Sequence, residues 1–179
     1  MTLGALFDSF ARSAFRYESR PFYDVGGEEA DRLTAWRLGR PRPERSVRTS
    51  PWLARIATTT IAGKSWVRVS VLDDPLSEYQ QFSLFAYVES QAAGDRMLVV
   101  RRRDLPVEVR DLPDFWLFDH DMDSAHGALM RYTAKGAFVG IELVSDDAGL
   151  RRLVEARAQL IERARPLNVF LADRDRARA

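Results

Sequence analysis

The period of the apolar residues changes repeatedly along the chain, and each change predicts an element. Leu3, Leu6, Phe7, Phe10 and Ala14 recur at helical spacing, which predicts a short amphipathic helix over about residues 2 to 13. From Ala14 to Glu18 the period drops to two, with Phe15 and Tyr17 on one side and Arg16 and Glu18 on the other, so a strand follows the helix closely. Glu28 to Leu38 reads as the next helix, with acidic residues in its first turn and Gly39 and Pro41 past its end. Ser50-Pro51 starts another, running through Trp52, Leu53, Ile56 and Ile61 to Gly63; its Thr58-Thr59-Thr60 turn is a weak helix interior and is expected to fray. Lys64 to Leu72 is the clearest strand, with Val67, Val69 and Val71 facing one way and Trp66, Arg68 and Ser70 the other. After the Asp73-Asp74-Pro75 turn, Ser77-Glu78 opens a helix, and Gly94 leads into a strand over Arg96 to Arg101.

The steepest polarity change is at Asp114-Phe115-Trp116-Leu117-Phe118-Asp119, which runs on into His120-Asp121-Met122-Asp123. Four large apolar residues in a row predict a short strand buried on both faces, opening onto an acidic turn. Leu129 to Tyr132 and Phe138 to Val144 form a hairpin across Ala134-Lys135-Gly136. On its second arm Phe138, Gly140 and Glu142 share a face. Ser145-Asp146-Asp147 caps a last helix to about Ala164, with Leu150, Leu153, Val154, Ala158 and Ile161 as its stripe. The expected fold is α+β: a mainly antiparallel sheet of about five to six strands, flanked by N-terminal and C-terminal helices. Residues 1–171 are expected to make one domain and 172–179 a charged, disordered tail.

Composition adds bounds. The chain of 179 residues is 46% hydrophobic and 30% charged, within the range of one soluble domain. It has no cysteine, which excludes disulfides, thiolate metal sites and cysteine catalysis and fits a reducing cytoplasm, the expected location. The first residues lack a basic region followed by an apolar run, and no stretch is long and apolar enough for a membrane span. A net charge of +1 gives no global pull toward nucleic acid. Locally, Arg37, Arg40, Arg42, Arg45 and Arg48 make a basic stretch that suits either a solvated, mobile connector or a nucleic-acid contact.

Two sets of residues carry candidate chemistry. Asp119, His120 and Asp121, with Asp123, His126 and Glu142 nearby, offer oxygen and imidazole ligands for Mg²⁺ or Mn²⁺ and hence metal-assisted hydrolysis of a phosphate-containing substrate. The same aspartates suit an ordinary turn. Glycine-rich phosphate loops and a G-x-S-x-G elbow are absent, and both histidines fall in one loop, which argues against a fixed general base. Polar residues on inward strand faces form the second set. Arg16, Glu18, Arg68 and Glu142 either pair across the sheet or clamp a small anionic ligand framed by Tyr79 and Tyr132.

Arg12-Ser13-Ala14-Phe15-Arg16-Tyr17-Glu18, Pro51-Trp52-Leu53, Val67-Arg68-Val69, Pro75-Leu76-Ser77-Glu78-Tyr79, Asp114 to Asp119 and Gly140-Ile141-Glu142-Leu143-Val144 occur in that order. Together, over roughly residues 5 to 171, they resemble an actinobacterial family of unknown function, the DUF6879 proteins. The chain departs from the family pattern at Gln80-Gln81, where a basic residue is expected, and at Asp119-His120-Asp121, where a plain acidic pair is usual. The resemblance implies a bacterial cytoplasmic protein, encoded near helix-turn-helix regulators, with no established reaction to carry over. The expected role is therefore a non-catalytic binding or interaction protein, without a cofactor, that partners such a regulator.

Overall fold

β1 (Ser13–Glu18) is the middle strand of one sheet, with both of its edges paired. The computed structural model describes residues 2–177 and places six further strands around it. These are β2 (Ser65–Leu72), β3 (Asp95–Arg101), β4 (Phe115–Phe118), β5 (His126–Tyr132), β6 (Phe138–Val144) and β7 (Arg165–Pro166), in the order β6-β5-β4-β1-β2-β3-β7. The helices are α1 (Leu3–Ser9), α2 (Gly27–Arg37), α3 (Pro51–Ile61), α4 (Glu78–Ala92), α5 (Val107–Arg110), α6 (Asp147–Arg163) and α7 (Leu167–Arg176).

The fold is mixed α and β, and the sheet is mostly antiparallel, with seven strands among the described residues against the five to six expected. Its centre departs from that pattern: β1 pairs in parallel with β2, and β2 with β3. Parallel neighbours need crossovers, which α2 and α3 supply in the first case and α4 in the second.

Strand alternation gives the sheet two unlike faces. Phe15, Tyr17, Val69, Val71, Leu98, Val100, Phe115 and Leu117 form one apolar layer against Val109 of α5 and Leu153, Ala156 and Leu160 of α6. The approach of α6 is so close that a Cβ on Gly127 would stand 2.5 Å from Leu153 Cδ1. On the other face, Trp66, Trp116 and Phe118 pack under α1 and α3, while Leu72, Met97 and Val99 pack under α4 and α7. Between those two clusters run Arg16, Glu18, Arg68 and Ser70, in register across β1 and β2.

Local chemistry explains where the elements stop. α1 ends at Ser9, short of the predicted residue 13, because the amides of Ala11, Arg12 and Ser13 are held by the Asp119 carboxylate. The threonine turn of α3 does not fray, since Thr59 Oγ1 accepts a 2.7 Å hydrogen bond from the Trp66 indole. Ser77 and Gln80 form a capping box at the start of α4, and the Gln80 amide, 3% exposed, also donates to Val71 O at the end of β2. The basic stretch after α2 is a packed strap: Arg45 donates to Ala86 O, and Arg42 lies 4.0 Å over the Phe85 ring. His126 belongs to β5, opposite Phe118 and stacked on it, so only His120 is in the turn. The charged stretch expected to be a disordered tail continues α7 to Arg176; residues 178 and 179 lie outside the described residues. Among the described residues no helix is long and apolar enough to cross a membrane.

Candidate functional site

The polar residues in mid-sheet form a chain of alternating charges. Arg16 donates from Nη2 to Asp114 Oδ2 at 3.0 Å and from Nε to Glu18 Oε1 at 3.4 Å. Arg68 donates from Nη1 to the same Glu18 oxygen at 2.5 Å and from Nε to Asp95 Oδ2 at 3.3 Å. Parallel register puts Arg16 directly beside Arg68, and two adjacent cations are tolerable here because Glu18 lies between their side chains. Around this chain, Ser70 and Tyr87 donate to Glu18, while Ser19 and Tyr23 donate to Asp114. Arg16 is 4% exposed, Asp114 2% and Asp95 1%. Charges this dry persist only when nearly every lone pair and proton has a partner. One donor lacks one: Arg16 Nη1 is buried without a hydrogen-bond partner among the described residues.

The environment fixes the protonation states. Burial would raise the Glu18 carboxyl, but Arg68 and Arg16 outweigh it and leave its pKa below the ordinary glutamate value. Burial dominates at Asp95 and pushes it up, although Arg68 pulls the other way. Tyr23, Tyr79 and Tyr87 are all raised, by burial first and then by Asp114, Glu29 and Glu18 respectively. Tyr132 is raised by burial too. These phenols are therefore neutral donors.

Above the ion chain lies a cavity of about 530 Å³, a size typical of small-molecule sites. Its floor is Arg16, Glu18, Arg68, Trp116 and Tyr132 from the sheet. Leu3, Phe7 and Trp52 of α1 and α3 close one end. Tyr79, Phe82 and Tyr87 of α4 form a wall, and Asp24, Glu28 and Glu29 stand at α2 and the loop before it. Aromatic rings brace one another: Phe7 is 4.8 Å from Trp116, Tyr23 is 5.3 Å from Tyr132, and both floor arginines lie over Trp116, at 5.5 Å and 5.8 Å. Gly136, with φ of 85°, lets the hairpin turn reach the rim, where its carbonyl accepts from Asp24 N. A Cβ there would lie 2.9 Å from that nitrogen.

A family model described as a domain of unknown function, DUF6879, matches residues 1–172. The chain belongs to the DUF6879 family. No curated protein and no solved structure matches it. In this DUF6879 chain the stretches that carry the family resemblance also supply much of the cavity: Arg16, Glu18, Trp52, Arg68, Tyr79 and Trp116.

Of the residues singled out in the sequence, Arg16, Glu18, Arg68, Tyr79 and Tyr132 line this one cavity. Glu142 does not. It sits on an outer strand opposite Leu129, so its side chain leaves on the other face of the sheet and pairs with exposed Arg131. The acidic turn is also elsewhere. Asp119, in a left-handed conformation (φ 49°) that aspartate tolerates, spends its carboxylate on the amides of Ala11, Arg12 and Ser13 at 2.7 to 2.9 Å. Those amides outweigh burial and lower its pKa. His120 bonds Ser13 Oγ, and burial, then the Arg157 cation, lowers its pKa; Asp121 pairs with Arg12. Among the described residues no group of three or more His, Cys, Asp or Glu is arranged to hold a metal ion. Asp119, His120 and Asp121 thus act as a tie between the end of β4 and the start of β1.

In the basic strap Arg42 and Arg45 pack on α4, whereas Arg37, Arg40 and Arg48 are exposed. Arg37 pairs with Glu78, and Arg45 reaches Glu89 and Ser90. The residues that sequence reasoning missed are Asp114, Asp95, Tyr23, Tyr87 and the Arg32–Glu89 pair. Asp114 was visible as a carboxylate at the edge of an apolar run, but nothing local showed that it faces Arg16.

Proposed function

We propose that this DUF6879 chain is a non-catalytic binding protein of the bacterial cytoplasm whose small ligand occupies the cavity over the sheet. One observation carries the reading: a dry, alternating ion chain floors an aromatic-walled cavity of about 530 Å³. Hydrocarbon side chains would have filled such a space, whereas arginines pinned by Asp114, Glu18 and Asp95 hold it open. Binding is favoured over turnover because the groups nearest the cavity are locked in single protonation states: Glu18 is held ionised and the tyrosines neutral. A general acid or base needs a pKa near the working pH. The regulatory role implied by the family resemblance fits as the output of binding, with a helix-turn-helix regulator sensing whether the cavity is filled.

The test is native mass spectrometry of the purified chain incubated with a small-molecule extract. The wild type is expected to retain a low-mass adduct, and Ala86→Trp, which fills the cavity from α4, is expected to lose it. A wild type without adduct, or an adduct equally retained by the folded variant, removes the reading.

A further inference from the structure

The floor arginines suggest an anion clamp, yet neither has charge to spare. Arg16 is matched by Asp114 and Glu18, and Arg68 by Glu18 and Asp95. Arg32 and Arg45, the other lining arginines, share Glu89. Glu18, Asp24, Glu28 and Glu29 line the cavity, and Asp114, Asp95 and Glu89 stand behind its arginines, so seven carboxylates surround four guanidinium groups. Adding Arg20, 5.4 Å over the Tyr132 ring, does not reverse that excess. Asp24, Glu28 and Glu29, at the mouth, have no ion-pair partner among the described residues. A ligand carrying negative charge would therefore enter against a like field.

At the floor the shortage is of the opposite kind. Tyr132 Oη accepts from Arg16 Nη2 at 3.0 Å, and its own hydroxyl hydrogen has no acceptor among the described residues. A ligand oxygen above the floor can serve that hydroxyl. Between floor and mouth the surfaces are flat rings: Trp116, Trp52, Phe7 and Tyr79. Resting on the cavity as the binding site, we propose that it selects a flat, uncharged or cationic ligand bearing a carbonyl-type acceptor, and discriminates against anions. The acceptor meets the Tyr132 hydroxyl, the ring packs on the aromatic walls, and donor or positive groups face Asp24, Glu28 and Glu29.

Three probes of one shape separate the possibilities: 1-methylnicotinamide (cation), nicotinamide (neutral) and nicotinate (anion), titrated by ligand-observed NMR. The first two are expected to bind at least about tenfold tighter than nicotinate. Tyr132→Phe is expected to weaken nicotinamide by roughly five- to tenfold through loss of one hydrogen bond. The exposed double variant Asp24→Asn with Glu28→Gln is expected to narrow the gap between cation and anion. Ala86→Trp, or Ala86→Leu where the tryptophan prevents folding, should abolish binding. If nicotinate binds tightest and the position-86 variant abolishes it, the ligand class is wrong and the cavity stands. If none of the probes binds, or binding survives at position 86, the cavity reading fails and this proposal falls with it.

Discussion

On β1, Phe15 and Tyr17 turn toward α5 and α6 while Arg16 and Glu18 turn toward α2 and α4, and the same alternation divides β2 and β4. On the first side, side chains of similar polarity interlock without a preferred direction, and the layer closes on itself. On the second, directional bonds fix each group where its partner is, and space remains above them. Apolar packing supplies cohesion by filling; the ion chain supplies shape by refusing to collapse. One strand thus contributes to both tasks with no residue shared between them.

Removing a charge from the ion chain should cost most. Arg16→Ala leaves Asp114 charged and dry, and a loss of about 3–5 kcal/mol in urea unfolding is expected. A loss below about 1 kcal/mol would show that the chain is wet and the contrast between faces is false. Leu117→Ala, on the apolar face and fully buried, should cost about 3 kcal/mol while leaving ligand affinity unchanged; a change in affinity would couple the faces. Asp119→Ala strands three amides and should cost about 2–3 kcal/mol, again without touching the cavity.

Acid titration sharpens the comparison further. Glu18 and Asp119 have lowered pKa values in the folded chain, so the native state binds fewer protons than the unfolded one. Their contribution is complete above the ordinary carboxylate range and is lost as pH falls through their depressed folded values. Asp95, raised by burial, works oppositely: its contribution is full below the ordinary aspartate value and is lost as pH rises through its folded one. Urea midpoints between about pH 3 and 6 should therefore fall toward acid, and Glu18→Gln should flatten that slope; an unaltered slope would separate Glu18 from its arginines. Smallest of all, Glu142→Ala should change stability by less than about 1 kcal/mol and leave binding intact, as befits an exposed pair with Arg131.

Period-two alternation made both faces of β1 and β2 legible, because Arg16, Glu18 and Arg68 sit at positions where a polar residue interrupts an otherwise inward face. The helix entry at Ser77-Glu78 and the buried run of β4 were legible for the same local reason, but the capping role of Gln80 was not. Partners distant along the chain were not. Arg16 meets Asp114 across 98 positions and Arg68 meets Asp95 across 27, and no spacing rule encodes either. Glu142 was misplaced because its face depends on the register with β5, which is irregular at Arg131/Tyr132. The acidic turn misled because carboxylates that bind metals and carboxylates that bind backbone amides look alike until the amides of Ala11, Arg12 and Ser13 are placed beside Asp119.

The central position of β1 also sets an order of events during synthesis. Its two edges are completed by β2, some fifty residues later, and by β4, about a hundred residues later. A nascent chain therefore carries its middle strand first, with both edges open until β2 is made, and with the β4 edge open and Arg16 without Asp114 until residue 118 has been made. Pausing translation within the segment between β2 and β4 should trap a species that chaperones recognise, whereas a pause after β5 should not.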